Sequence, residues 1–204
     1  MPATRGWHLV SIEIVEESSR NLSEYASISI AFTVSEVLEP IGVPAPPGPA
    51  AFRTRALVPA YVKDYDADTE NGPFSWPTRF DVSAWGFLAA YINEERVGGA
   101  VIVPPNSAIE LLGERADAAV LWDLRVAPAH RRHGVATALL AAVESWARQR
   151  SARILTVETQ NNNVAACRFY ERSGFELDAI TPGAYPALPD EIQLLWHKQL
   201  SRAY

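Results

Sequence analysis

Two short stretches carry residue types that could do chemistry together. The first is Arg131-Arg132-His133-Gly134-Val135-Ala136-Thr137, a basic turn with one glycine that opens onto a helical pattern. A helix N-terminus leaves its first N–H groups unpaired and carries partial positive charge, which makes it a ready anion seat. Gly134 lets a phosphate approach the backbone with no Cβ in the way. Ala136 is the next smallest choice, Thr137 adds a hydroxyl, and Arg131 and Arg132 add charge. Taken alone, the stretch equally fits a capped surface helix. It has neither the three glycines of a dinucleotide fingerprint nor the Gly-Lys-Ser/Thr of a P-loop.

The second stretch narrows that choice. Asn163 is followed by Ala166, Tyr170, Gly174 and Phe175 at offsets of 3, 7, 11 and 12. At about 100° per residue, Asn163, Ala166, Cys167, Tyr170 and Gly174 fall in one sector of a helix. That face presents an amide, a small residue, a thiol and a phenol. Tyr170 fits a proton donor, and it also fits a core aromatic with its hydroxyl at the edge. Cys167 reads as an inert buried thiol, because no base is evident beside it. Two carboxylates, Asp123 and Glu158, sit on the strands flanking these motifs. Each could take a proton, and each could instead be an ion pair or a cap; Asp123 has Arg125 two residues away.

The elements that must position these groups follow from periodicity. Ala118–Val126 alternates as a strand, with Val120, Trp122, Leu124 and Val126 expected on one face and Leu121, Asp123 and Arg125 on the other. Val135, Leu139, Ala142, Val143 and Trp146 form a core-facing helical stripe. Ile154–Val157 is a short apolar strand of the kind buried on both faces. Asn161–Asn163 can cap the helix that follows, and Gly174 suits its left-handed end. Upstream, WGFLAAYI and VGGAVIV read as an antiparallel hairpin joined by NEER, with a bulge or close backbone approach at Gly98-Gly99. Phe175–Ile180 and Ile192–Leu200 read as two final strands. Trp7–Val15 and Ser27–Val37 also alternate, and polar Glu16–Glu24 between them fits a turn or short helix. Ile41–Ala50 is a Pro/Gly loop, and Ile109–Leu112 a short helix. The acidic run Lys63–Glu70 fits a solvated loop, or one wall of a polyamine site.

Together these elements predict a mixed α/β domain over residues 1–204, because fifty residues ahead of the Pro-rich loop are too few to hold their own core. Lys and Arg number 18 against 24 Asp and Glu, a formal charge of −6. That balance argues against nucleic acid, which needs a basic face, and is compatible with a cationic substrate. The single cysteine rules out an internal disulfide and a multi-cysteine zinc site, and no metal is expected. No window approaches the roughly 18 apolar residues of a membrane span. No basic segment followed by an apolar run opens the chain, so no signal peptide and a cytoplasmic location are expected.

The two motifs resemble the acetyl-CoA site of the GNAT family of N-acetyltransferases. That family's pattern, a basic or Gln residue followed by Gly and then Gly or Ala, is matched by Arg131, Gly134 and Ala136. Its Asn, Ala, Tyr, Gly-Phe pattern is matched from Asn163 to Phe175, one helix and one strand later. The resemblance covers roughly Trp85 to the C-terminus, and LWDLRV, ETQNNNVAACRFYERSGF and DEIQLLWHKQL are most similar to streptothricin acetyltransferases. It implies a mostly antiparallel sheet with one splayed parallel pair. Acetyl-CoA would lie in the splay as acyl donor. Backbone near Leu124, Arg125 and Val126 would bind the pantetheine and polarise the thioester carbonyl. Residues 131–137, His133 and Val135 included, would seat the pyrophosphate, and Asn163 and Ala166 would border the pantetheine arm. Tyr170 would protonate the departing thiolate. Asp123, Glu158 or a water chain would take the proton of a neutral amine, and transfer would be direct. The acceptor implied is a small cationic amine; a peptide amine and a non-catalytic acyl-CoA-binding role are the alternatives. Homodimerisation is left open.

Overall fold

The computed structural model describes residues 11–41, 52–109, 111 and 115–200. Residues 42–50 of the Pro-rich loop expected at Ile41–Ala50, residues 110 and 112 of the helix expected at Ile109–Leu112 and residues 7–10 of the strand expected at Trp7–Val15 lie outside them. Nine strands and four helices are formed by the described residues. They are β1 (Glu13–Glu17), α1 (Leu22–Ala26), β2 (Phe32–Pro40), β3 (Phe52–Lys63), α2 (Trp76–Arg79), β4 (Gly86–Ile92), β5 (Glu95–Val103), β6 (Ala118–Val126), α3 (Val135–Gln149), β7 (Ile154–Gln160), α4 (Val164–Arg172), β8 (Glu176–Pro182) and β9 (Ile192–Gln199).

Seven strands form one sheet in the order β1-β4-β5-β6-β7-β9-β8. All neighbours are antiparallel except β6 and β7. That parallel pair runs from Ala118↔Ile154 to Leu121↔Val157 and goes no further, although β6 continues to Val126 and β7 to Gln160. The two strands therefore part. The remaining strands, β2 and β3, make a separate antiparallel ribbon. Residues 52–61, a segment whose sequence is mixed, form most of β3. Its side chains are largely exposed, so no clean alternation marks it.

The larger core gathers α3 and α4 against the sheet through Leu139, Val143, Trp146, Leu155, Cys167 and Leu194. A second cluster on Val101, Val103, Val120 and Trp122 is covered by α1 and α2 with Tyr25, Trp76 and Trp85. Trp122 is where the expected alternation fails. Val101 faces Asp123 and Ile102 faces Leu121, so Trp122 is an extra residue with no partner in β5. Past this bulge the faces exchange: Leu124 and Val126 join Leu121 on the α3 side, while Asp123 and Arg125 join Val120 on the α1/α2 side.

The Gly98-Gly99 pair marks close approach. A Cβ on Gly99 would come within 2.6 Å of the Tyr25 ring, and one on Gly98 within 3.0 Å of both the Arg125 carbonyl and Val135. The register of β4 against β5 also shifts nearby, between Ala90 and Tyr91.

Candidate active site

A groove of about 1350 Å³ runs from the N-terminus of α3, between α3 and α4, to the gap between β6 and β7. It brings together Arg131, Arg132, Gly134, Ala136 and Thr137 at one end. Leu124, Arg125 and Val126 line its wall with Asn163, Ala166 and Tyr170. Asp123 and Glu158 stand at the gap. His133 and Val135 are not among the lining residues. Val135 is 1% exposed in the core, where its side chain anchors the start of α3.

The start of α3 is built for an anion. Gly134 is its N-cap at φ 86°, and no side chain caps the helix. The first bond of the helix is Ala138 N–H to the Gly134 carbonyl at 3.0 Å, so the N–H groups of residues 135–137 have no helical partner. The nearest atom to a Cβ on Gly134 would be 4.0 Å away, so the approach is open. These features fit the pyrophosphate of a coenzyme A. Arg131 contributes differently from expectation. Its guanidinium donates to the carbonyls of Val126, Ala31 and Ser29 at 3.0, 2.9 and 3.1 Å, tying the turn to the segment before β2. Burial lowers its pKa below the ordinary arginine value.

Tyr170 sits on the inner face of α4, 6% exposed, with Phe169 and Phe175 edge-on at 5.2 and 5.3 Å. Burial raises its phenol pKa well above the ordinary value, and the charge of Asp123 acts in the same direction. The group is therefore protonated at neutral pH, as a proton donor must be. α4 is held at both ends. Asn163 accepts from Ala166 N–H at 3.2 Å as the N-cap. At the other end Gly174, at φ 84°, closes a Schellman turn with Phe175 N–H on the Tyr170 carbonyl at 3.0 Å. Asn163 thus spends its carbonyl oxygen on the helix. Cys167 is 2% exposed and within 3.3 Å of the Thr159 hydroxyl. Burial pushes its thiol up to about 11.

The two carboxylates have different surroundings. Asp123 receives Arg125 Nη2 at 2.6 Å, Arg125 Nε at 3.3 Å and the Tyr25 hydroxyl at 2.9 Å. Arg125 is 2% exposed and also bonds Asp66 and the Ile28 carbonyl. Burial by itself would lower the Arg125 pKa, but the charge of Asp123 leads a set of partners that outweigh it and hold the pKa above the ordinary value. Glu158 accepts from the Tyr185 hydroxyl and from Gln193 Nε2, the latter at 2.8 Å. Burial and the hydrogen bond to Glu158 both push the Tyr185 phenol up. Tyr25, Tyr65, Asp66, Gln160 and Tyr185 complete the surroundings of the gap. None belongs to either sequence motif. Tyr65 and Asp66 lie in the acidic run Lys63–Glu70 that the sequence offered as a loop or one wall of a polyamine site.

A groove at a splayed parallel pair, with a phenol on one wall and an uncapped helix start at one end, points to the class. The chain belongs to the GNAT acetyltransferase family, whose family model matches residues 55–175, and it is an N-acetyltransferase. It is 32% identical over 147 residues to the streptothricin acetyltransferase of Escherichia coli, covering 71% of this chain and 73% of that protein. It is 31% identical over 113 residues to streptothricin acetyltransferase A of Bacillus subtilis, covering 53% and 65%. Among solved structures, a nourseothricin acetyltransferase superposes with a TM-score of 0.70 at 21% identity, over 93% of this chain and 99% of that one. A Bacillus anthracis protein solved in complex with acetyl coenzyme A superposes at 0.72 with 24% identity, over 94% and 99%.

Proposed function

We propose that the protein transfers an acetyl group from acetyl-CoA to a primary amine of a small cationic compound, streptothricin or a molecule like it, and so inactivates an antibiotic. The observation that carries this reading is the single groove joining the uncapped start of α3, the gap between β6 and β7, and the protonated phenol of Tyr170. The donor supplies an activated thioester when bound. Everything else falls to the chain. The N–H groups at 135–137 bind the phosphates. Backbone of residues 124–126, which β7 does not pair, orients the pantetheine and polarises the thioester carbonyl. Tyr170 Oη gives its proton to the departing sulfur, and Glu158, directly or through water, accepts one from the amine. Transfer is direct, and the buried thiol of Cys167 takes no part.

The choice of a small cation over a peptide is supported by the loop between β8 and β9. Tyr185 and Glu191 tie it to Glu158, Gln160 and Lys63, which sets carboxylates around the gap. Two relatives above 30% identity are named for streptothricin acetylation, and a third, at 33%, is an N-acetyltransferase of Bacillus subtilis with no substrate in its name. The test is release of free thiol from acetyl-CoA against a panel of streptothricin, aminoglycosides, polyamines and short peptides. Turnover with streptothricin well above the others supports the reading. Preference for peptides, or tight coenzyme A binding with no thiol release, defeats it.

A further inference from the structure

The end of β3 runs into a short segment, residues 63–66, whose side chains are tied to three different elements. Lys63 pairs with Glu191 in the β8–β9 loop, both side chains being largely buried. Tyr65 donates its phenolic hydrogen to Gln160 Oε1 at the end of β7. Asp66 accepts from Arg125 Nη1 and Nη2 at 2.9 and 3.3 Å, near the end of β6. Asp64 closes the turn by accepting from Asp66 N–H at 3.1 Å. The segment therefore bridges β6 and β7 at the level where their own hydrogen bonds have stopped.

We propose that Tyr65 is a specificity-determining wall for the acceptor amine and that Asp66, acting through Arg125, is the positioning residue that holds it there. The proposal rests on the acetyl-transfer reading of the groove. Tyr65 lines that groove beside Phe32, with ring centroids 5.6 Å apart, and its bond to Gln160 fixes the ring across the gap. Burial pushes its phenol up, so it remains a neutral wall with no charge of its own. The pin behind it is well made. All the hydrogen-bonding nitrogens of Arg125 are engaged, on Asp66, Asp123 and the Ile28 carbonyl. Two carboxylates around one guanidinium leave a net negative charge beside the wall, which suits an acceptor carrying a second cationic group near its reacting amine. A bulky or uncharged acceptor meets the ring without that attraction.

The test is steady-state kinetics with donor and acceptor varied separately, together with hydrogen exchange over residues 63–68, for Asp66→Ala, Asp66→Asn, Tyr65→Ala and the Tyr65→Ala/Asp66→Ala pair. The expected result is a rise of about tenfold in acceptor KM for Asp66→Ala and for Tyr65→Ala, with acetyl-CoA KM within about twofold of wild type. The double variant should rise no further, because both changes remove one wall. Exchange in the segment should speed up in Asp66→Ala. Asp66→Asn, which can still accept from Arg125, should lie between it and wild type and fold normally. An unchanged acceptor KM, additive effects, or an equal rise in both KM values overturns the proposal. If the wild-type protein acetylates no amine, the proposed function fails on its own. The exchange arm still decides, since unchanged protection in Asp66→Ala shows that Asp66 holds nothing.

Discussion

Tyr25 donates its phenolic hydrogen to Asp123 Oδ1 at 2.9 Å, across 98 positions of sequence. With Arg125 on the other side, that carboxylate is enclosed, its side chain 9% exposed beside a guanidinium at 1%. Glu158, held by Tyr185 and Gln193, has partners whose loss strands no buried cation. The first prediction separates the two. Asp123→Asn should cost about 3 kcal/mol of stability, because it leaves buried positive charge undercompensated. Glu158→Gln should leave the urea midpoint close to wild type and lower kcat/KM about a hundredfold. Urea titration and kinetics on both variants check this.

Tyr170→Phe keeps the ring and its contacts with Phe169 and Phe175 and removes only the proton. kcat should fall by about a hundredfold, with coenzyme A affinity unchanged by calorimetry. The pH profile offers a second check. An acid must be protonated to act, and burial holds this phenol above its ordinary value of 10.0. The wild-type kcat should therefore show no falling alkaline limb from this group up to about pH 10.

Gly99→Ala should destabilise by about 1–3 kcal/mol, the usual cost of overpacking. The new methyl would meet Tyr25 at 2.6 Å and the Leu88 carbonyl at 2.9 Å. Because the Tyr25 ring is the nearer of the two groups that must move, the loss should be smaller, though not abolished, when the change is made in a Tyr25→Ala background, a coupling that a thermal-melt double-mutant cycle would show.

Glu17 ties β1 to the sheet through Arg96, Tyr91 and Asn21. Burial pushes its carboxyl pKa up, but the hydrogen bonds from Arg96, Tyr91 and Asn21 outweigh that and bring it below the ordinary value. A carboxyl whose folded pKa is lowered contributes stability at higher pH and loses it as pH falls through that lowered value. Glu17→Gln should thus be less stable than wild type at neutral pH, and the difference should shrink below about pH 4.5. Chemical denaturation at a series of pH values reads this directly.

The residues proposed for the donor were legible as local patterns, and the fold brings them to one groove. The proposed phosphate seat needs a residue such as Gly134 at a helix start, and the proposed donor phenol needs Tyr170 seven residues after its cap Asn163. Both are short-range rules. The proposed acceptor half gathers Tyr25, Tyr65, Asp66, Asp123 and Tyr185. Their partners lie from 2 to 98 positions away, and no periodicity connects them. β3 was illegible for a related reason: most of its side chains face solvent, so burial imposes no alternation on its sequence. The faces of β6 were misassigned because a bulge adds one residue without altering composition. Arg131 kept its place in the motif, but its side chain serves the fold, bonding the carbonyls of Ser29, Ala31 and Val126.

The extra residue at Trp122 acts as a frameshift within a strand. Ahead of it, odd-numbered positions look toward α3; after it, even-numbered ones do. One strand can in this way serve two clients, offering Leu121, Leu124 and Val126 to α3 and Asp123 and Arg125 to the side covered by α1 and α2. Deleting Trp122 would restore a regular strand with Leu121 still opposite Ile102 and Asp123 still opposite Val101, keeping both faces while removing the ring that packs against Trp76, Phe80 and Trp85.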